Sequence, residues 1–136
     1  MEKQREGRCL CGAVRFTTTG EPGSVALCYC ASCRRHSGAP MVAYADFARA
    51  QVRFLQGEPA RFASSPGVRR GFCAACGSTL CYEGENLPDM IHLHLGAFDD
   101  PSDLPPTEVA CAEERLSWLP PRGAATVRTK PPKGPA

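Results

Sequence analysis

Short runs in which apolar and polar residues alternate are the main pattern along this chain. Alternation with a period of two is typical of strands that bury one face. No segment keeps a helical period over three turns, and thirteen Gly and thirteen Pro interrupt the runs. The pattern therefore predicts an all-β protein. The predicted strands cover residues 13–18, 41–47, 51–56, 78–83 and 90–97.

The segments between these runs carry turn signals or cysteines. Residues 20–23 (GEPG) and 64–67 (SSPG) predict turns. Residues 25–38 and the CAACG segment predict two metal knuckles, the first running into a short helical turn. Residues 1–8 are polar, and we expect them to be loose.

The length of 136 residues suits one domain. The alternating pattern stops before residue 120, so we predict a zinc-binding β domain over residues 1–119. Residues 120–136 carry five Pro and four Lys or Arg and predict a basic, Pro-rich tail.

The N-terminus shows no apolar signal region and no run approaches a membrane span, so we expect a cytoplasmic protein with no membrane partner.

Cysteine is the unusual component of the composition, with nine residues. An odd number fits a disulfide framework poorly, and seven of the nine lie in C-x-C or C-x-x-C clusters. In a reducing compartment such clusters bind zinc.

The formal net charge of +2 would turn slightly negative once seven thiolates held two zinc ions, and no basic stripe with interleaved aromatics precedes the tail. We therefore expect no nucleic-acid partner.

The spacing of the clusters predicts two zinc ions per chain. A C-x-C pair and a C-x-x-C pair together supply the four thiolates of a closed structural site. The remaining triplet offers three thiolates, and an open fourth position is typical of a zinc that meets substrate. The closed site is predicted at Cys9, Cys11, Cys73 and Cys76, and the open, catalytic site at Cys28, Cys30 and Cys33.

Spacing alone leaves other partitions open. Cys81, Cys111 or a histidine could complete the triplet and make it a second structural site. We expect Cys81 and Cys111 to be packed thiols, because free cysteine is commonly buried. His92 and His94 share one face of the last predicted strand, where we expect an exposed polar surface.

Three residues directly after the triplet are candidate contacts for a thiol substrate. Arg34 and Arg35 could offset thiolate charge or bind carboxylates, and His36 could line the same pocket.

The order of these motifs resembles the glutathione-dependent formaldehyde-activating enzyme family, from about Cys9 to Trp118. The resemblance rests on the segments CLCGAVRF, CYCASCRRHSG, FLQGEPARF, GFCAACGSTLCYE and IHLHLGAFDDP. It implies coiled β-sheets of the β-tent type, a structural zinc on the two cysteine pairs and a catalytic zinc on the triplet. One departure is Tyr29, where many members have histidine; a residue between two ligands on an extended chain points away from the metal.

Three thiolates already outweigh the charge of one Zn²⁺, so the open site suits thiol binding better than carbonyl polarisation. This chemistry predicts the capture of a thiol and the addition of its sulfur to a small aldehyde. The resemblance implies that the protein is a zinc-dependent carbon–sulfur lyase-like enzyme and that the thiol is glutathione or a similar one. The resemblance implies reversible addition of that thiol to formaldehyde or a small aldehyde. The alternative is a non-catalytic zinc-binding interaction module, which a fourth protein ligand at the triplet would favour.

Overall fold

The computed structural model describes residues 2–119, and within them the chain forms two β-sheets. The first sheet is antiparallel, with strands in the order β1 (Gln4–Arg8), β2 (Arg15–Thr19) and β5 (Val52–Gln56). The second has seven strands. Their order is β10 (Glu108–Ala110), β3 (Ser24–Cys28), β4 (Val42–Ala48), β9 (Met90–His94), β8 (Thr79–Gly84), β7 (Val68–Phe72) and β6 (Ala60–Ser65).

Helical structure in the described part is short. One α-helix, α1 (Ala31–Ser37), follows β3. Single 3₁₀ turns lie at Arg49–Gln51, Leu95–Ala97 and Ala112–Glu114. The all-β prediction is therefore confirmed, and the helical turn expected after the first knuckle is α1.

Two predictions about the ends of the described chain are corrected. Within the segment predicted to be loose, residues 4–8 are ordered, because β1 pairs along its whole length with β2. The buried positions of β1 are Arg5 and Gly7, so no apolar alternation marked it as a strand. The strand β10 was not predicted either, since all three of its residues are exposed. It runs parallel to β3, whereas the other pairs are antiparallel.

Most of the other predicted boundaries hold within a few residues. The run predicted as a strand to residue 97 ends at His94, where the chain enters a 3₁₀ turn. The strand β6 extends through Ser65, so the predicted turn is confined to Pro66 and Gly67.

Aromatic side chains fill the space between the sheets. Phe16 and Phe47 are fully buried, together with Leu80 and Leu93. The Phe16 ring meets that of Phe98 edge to face, with centroids 5.3 Å apart. This core packs one face of the small sheet against the large one.

A close backbone approach joins the two sheets beside that core. Gly7 bridges Phe98, and the amide of Asp99 donates to the carbonyl of Glu6 at 2.9 Å. A β-carbon on Gly7 would lie 2.3 Å from Phe16 Cζ and 2.5 Å from the Ala97 carbonyl oxygen. Only glycine fits there.

A buried cation fixes the same strand. Arg5 is 7% exposed, and its Nη2 lies 2.9 Å from Glu21 Oε2 and 3.1 Å from Asp103 Oδ2. The guanidinium also donates to the Gly20 carbonyl at 3.0 Å. These partners compensate its desolvation.

No helix within residues 2–119 is long and apolar enough to span a membrane. The predicted basic tail at residues 120–136 lies outside the described residues, so the predicted boundary at residue 119 stays a prediction.

We predict that Gly7→Ala lowers the free energy of unfolding by about 2–3 kcal/mol, because a new methyl group collides with backbone that cannot retreat. Gly96→Ala is the matched control: a β-carbon there meets nothing within 4 Å, so its effect stays within about 0.5 kcal/mol. Chemical denaturation of both variants measures the difference. Equal stability of the two would contradict the close approach.

Candidate metal centres and the cavity beside them

Four cysteines meet where the turns of two hairpins come together. The first turn joins β1 to β2 and the second joins β7 to β8. Their four sulfur atoms lie within 4.8 Å of one another. The Sγ of Cys11 lies 3.6 Å from that of Cys9 and 3.8 Å from that of Cys73, which is 62 residues further along the chain. The cluster consists of Cys9, Cys11, Cys73 and Cys76.

Local backbone geometry explains why each turn presents its sulfurs together. In the second turn the Gly77 amide donates to the Cys73 carbonyl at 2.8 Å, and Gly77 has a φ of 79°. Such a left-handed conformation favours glycine. The Leu10 amide donates to Ser78 Oγ at 2.9 Å and so ties the first turn to the second.

Polar neighbours favour ionised sulfur at two members of this cluster. Hydrogen bonds with Ser78 lower the pKa of Cys76 to about 5. Burial acts to raise the pKa of Cys9, but the amide of Val14, 3.3 Å from its sulfur, brings the pKa below the usual thiol value. At Cys11 the amide of Ala13 acts to lower the pKa, but the neighbouring thiols raise it to about 11. Four thiols this close fit a thiophilic cation such as Zn²⁺.

The triplet forms a second cluster at the end of β3. Cys28 is the last residue of that strand and Cys30 is the N-cap of α1. The Cys33 amide donates to Cys30 Sγ at 3.2 Å, so the helix start fixes the second sulfur relative to the third. The Cys28 thiol interacts with those of both Cys30 and Cys33. The structure thus places the three predicted residues at one cavity, although the three sulfur atoms that lie within 4.8 Å of one another are those of Cys28, Cys30 and Cys111.

Cys33 has the most polar surroundings of the three. Its sulfur lies 3.4 Å from the Tyr44 hydroxyl oxygen and 3.5 Å from Arg70 Nη1. Burial acts to raise the pKa of Cys33, but these two partners bring it below the usual thiol value. Cys33 is therefore prepared to carry negative charge.

Arg70 is a buried cation, and the group near it that can carry the opposite charge is the sulfur of Cys33. Arg70 is 5% exposed, and within residues 2–119 no carboxylate forms an ion pair with it. Its other partners are Ser64 Oγ at 3.1 Å and the Tyr82 ring, whose centroid lies 5.2 Å from the guanidinium carbon. A buried charge without an opposite charge is costly, so the geometry favours anionic sulfur nearby.

A cavity of about 440 Å³ opens beside this second cluster. The triplet, Tyr44 and Arg70 form part of its wall, and a histidine–carboxylate pair forms another part. In that pair Nδ1 of His92 lies 2.5 Å from Asp46 Oδ1, and Ser24 Oγ donates to the other oxygen at 2.7 Å. A thiol group, a cation and a proton carrier therefore share one cavity.

The sequence profile of the glutathione-dependent formaldehyde-activating enzyme family matches residues 4–113, a range that includes every cysteine described above. The chain belongs to this family. Among its relatives is a Halomonas elongata protein, 30% identical over 84% of this chain and 78% of its own length. It carries the name of a glutathione-dependent formaldehyde-activating enzyme as a provisional one.

Two further likenesses are consistent with family membership. A Schizosaccharomyces pombe protein named as an uncharacterized lyase is 31% identical over 60% of this chain and 58% of its own length. A crystal structure of a Rhodobacter sphaeroides protein shares the fold, with a TM-score of 0.60 over 77% of this chain and 99% of that one. Its sequence identity is 20%.

The prediction that His92 and His94 form an exposed polar surface on β9 is corrected by the structure. The side chain of His92 is 14% exposed, and His94 is 8% exposed with its ring 4.6 Å from that of Tyr44. On the histidine side of β9, His92 lines the cavity and His94 packs against Tyr44, while Ile91 and Leu93 on the other side belong to the core. Burial lowers the pKa of His94 to about 4.

The three predicted substrate contacts lie on α1, outside the described wall of the cavity. Arg35 is exposed, while Arg34 and His36 are half-buried. The His36 ring packs against Phe72, 6.4 Å between centroids. A role for Arg34, Arg35 and His36 in substrate binding stays a prediction.

The two cysteines outside the clusters predicted from spacing are both packed, but in different surroundings. Cys81 is fully buried in the core, and burial raises its pKa to about 12. Cys111 instead lies at the cavity, with its sulfur within 4.8 Å of those of Cys28 and Cys30. It packs, half-buried, against a small core cluster that contains Cys28, Cys33 and Tyr44, so it is a packed thiol that also borders the cavity.

No pattern in the sequence singled out Arg70 or Asp46 as residues of the site. Each is one polar residue in a strand, and a second arginine, Arg69, precedes Arg70. Only the pairing of β7 with β8 decides that Arg70 points inward while Arg69 stays exposed.

We predict that Cys76→Ser loses one of two bound zinc ions and more than about 4 kcal/mol of stability, the scale of a lost metal crosslink. Cys76 is exposed, so the substitution disturbs no core packing. Metal analysis of chelator-free protein, combined with denaturation, measures both effects. The control Cys81→Ala removes a buried thiol outside the clusters and keeps both ions. A wild-type content of one ion, or equal metal loss in the control, would contradict the assignment.

A second prediction concerns acid stability. Unfolded His94 gains a proton below about pH 6.5, whereas in the folded protein its pKa is about 4. The unfolded state thus binds more protons in that window, and stability falls as the pH falls through it. At pH 5 the loss is about 2 kcal/mol. Relative to His94→Gln, which lacks this proton, the wild type should lose about that much between pH 7.5 and pH 5. A constant difference across that range would count against a buried neutral His94.

Proposed function

We propose that this chain is a zinc-dependent carbon–sulfur lyase-type enzyme that catalyses the reversible addition of glutathione, or a similar thiol, to formaldehyde or a small aldehyde. Family membership supports the reaction class. The observation that carries the proposal is the buried Arg70 facing Cys33 in a cavity that also holds the His92–Asp46 pair. That arrangement suits an anionic sulfur group and a proton transfer beside it.

The proposal assigns one zinc ion to each cluster. Cys9, Cys11, Cys73 and Cys76 would hold the structural ion, since their position between two hairpin turns makes a crosslink. Cys28, Cys30 and Cys33 would hold the catalytic ion, which when bound supplies a site that keeps the substrate sulfur as a thiolate.

The protein's own groups have distinct roles in the addition. Arg70 and the Tyr44 hydroxyl offset negative charge at Cys33 and at a sulfur bound beside it. Nδ1 of His92 is hydrogen-bonded to Asp46, so the other ring nitrogen, Nε2, is the atom that takes the thiol proton. The same nitrogen then returns the proton to the aldehyde oxygen. The new bond joins sulfur to the carbonyl carbon, and the product is a hemithioacetal. Because this addition is intrinsically easy, much of the rate gain comes from positioning.

Two less specific parts of the proposal follow from the same chemistry. Arg34, Arg35 and His36 would contact parts of the substrate that extend beyond the cavity wall. The cytoplasm is the expected compartment, since the thiolate ligands have to stay reduced.

One observation favours the alternative, a non-catalytic zinc-binding interaction module. The Cys111 sulfur lies close enough to the triplet to act as a fourth protein ligand. A site that is permanently closed in this way would bind no substrate thiol.

We predict that the zinc-loaded protein binds glutathione and accelerates its exchange with formaldehyde above the spontaneous rate. Arg70→Ala should weaken glutathione binding by about 1.5–3 kcal/mol, the value of a hydrogen bond to a charged group. The control Arg69→Ala removes the exposed neighbour and leaves binding unchanged. Calorimetry measures binding, and magnetisation-exchange NMR measures the reaction.

The outcomes separate the parts of the proposal. Binding without acceleration would exclude the formaldehyde reaction and leave a thiol site. Absence of binding at millimolar glutathione would exclude both and favour the interaction module. Equal effects of the two arginine variants would exclude the role given to Arg70.

A further inference from the structure

Cys111 is brought to the cavity by the short strand β10. That strand runs parallel to β3, and its register places Ala110 opposite Cys28. The Tyr29 amide donates to the Ala110 carbonyl at 3.2 Å. Cys111, which follows Ala110, therefore lies at the end of β3 that carries Cys28.

The backbone at Cys111 is unusual. Its φ of 55° and ψ of 44° are left-handed, and within residues 2–119 it is the only residue other than glycine with a positive φ. This conformation costs roughly 1–2 kcal/mol for a residue with a β-carbon. Strain of this kind persists where the surrounding structure over-determines it, and it is common at functional sites.

The strained backbone is held in place on both sides. Before it, β10 pairs with β3; after it, Glu114 Oε1 accepts a hydrogen bond from the Ala31 amide at 3.3 Å. Glu114 belongs to the 3₁₀ turn that begins directly after Cys111, and Ala31 begins α1. Cys111 is thus fixed between the two elements that carry the triplet.

The sulfur atom of Cys111 lies where this backbone position would place it, beside sulfur atoms of the triplet. Those of Cys28, Cys30 and Cys111 all lie within 4.8 Å of one another, and Cys33 lines the same cavity. Cys28 and Cys33 are buried, whereas Cys30 and Cys111 are half-buried. Cys111 follows an exposed three-residue edge strand, whereas Cys28 ends β3 and Cys30 and Cys33 belong to the cap and first turn of α1.

We propose that Cys111 supplies a fourth thiolate to the metal at Cys28, Cys30 and Cys33, and that an incoming thiol substrate replaces it. This proposal rests on the metal assignment of the proposed function. The exchange is balanced: the substrate thiolate takes the position, and the Cys111 sulfur leaves and takes up the substrate's proton. The ligand count stays at four.

Cobalt-loaded protein tests ligation without any assay of activity. With both sites filled, each thiolate contributes to the sulfur-to-cobalt charge-transfer absorption. Cys111→Gly should therefore lose about an eighth of that absorption, one thiolate of eight. Zinc affinity at the second site should fall at least about tenfold in competition with a chelator. Glycine suits the left-handed backbone, so this variant also avoids the strain that Cys111→Ala retains.

Cys81→Ala is the control, because it removes a buried cysteine outside both clusters and should leave the spectrum and the affinity unchanged. An unchanged spectrum and affinity in both Cys111 variants would overturn the proposal. Since that result concerns the metal alone, it would leave glutathione binding by the wild type untouched.

Glutathione then tests the replacement step. Added to cobalt-loaded Cys111→Gly, it should restore the lost absorption, and half-saturation should need less glutathione than binding to the wild type, which has to displace Cys111. Tighter binding by the wild type would overturn the replacement. Failure of glutathione to bind either protein would count against the proposed function, while the spectrum of the variant alone would still report Cys111 as a ligand.

Discussion

The structure depends on four sulfur atoms brought together by two hairpin turns. Cys9 and Cys11 belong to the small sheet, while Cys73 and Cys76 belong to the large one. Four thiolates within 4.8 Å would repel one another, so a cation between them converts a destabilising cluster into a crosslink. The aromatic core and the close approach at Gly7 lie beside this junction and need the two sheets in one relative position.

The second cluster also consists of cysteines, but its electrostatic surroundings differ from those of the first. Here a buried arginine faces the sulfurs, and within the described chain no carboxylate neutralises it. The cavity is consequently suited to anions, and His92 with Asp46 adds a group able to accept a proton. A structural site needs neither feature, which is why we place the chemistry at the triplet.

Cys111 connects the enzyme and the interaction-module interpretations. A permanent fourth thiolate would close the site, whereas a displaceable one would protect the metal until a thiol arrives. Displacement would need only a rotation of the half-buried Cys111 side chain, while β10 keeps its pairing with β3. The same residue therefore explains both why the site looks closed and how it could open.

The sequence by itself determined the all-β class, the family and the grouping of seven cysteines into clusters. Those signals are local, because C-x-C, C-x-x-C and apolar alternation depend on neighbours only a few residues apart. Tertiary structure alone decided that β1 is a strand, since its buried residues are Arg5 and Gly7. It also placed Arg70, Asp46 and Cys111 at one cavity, although they lie on β7, on β4 and after β10. No local pattern carries that information, because strand pairing between distant segments decides which face each side chain takes.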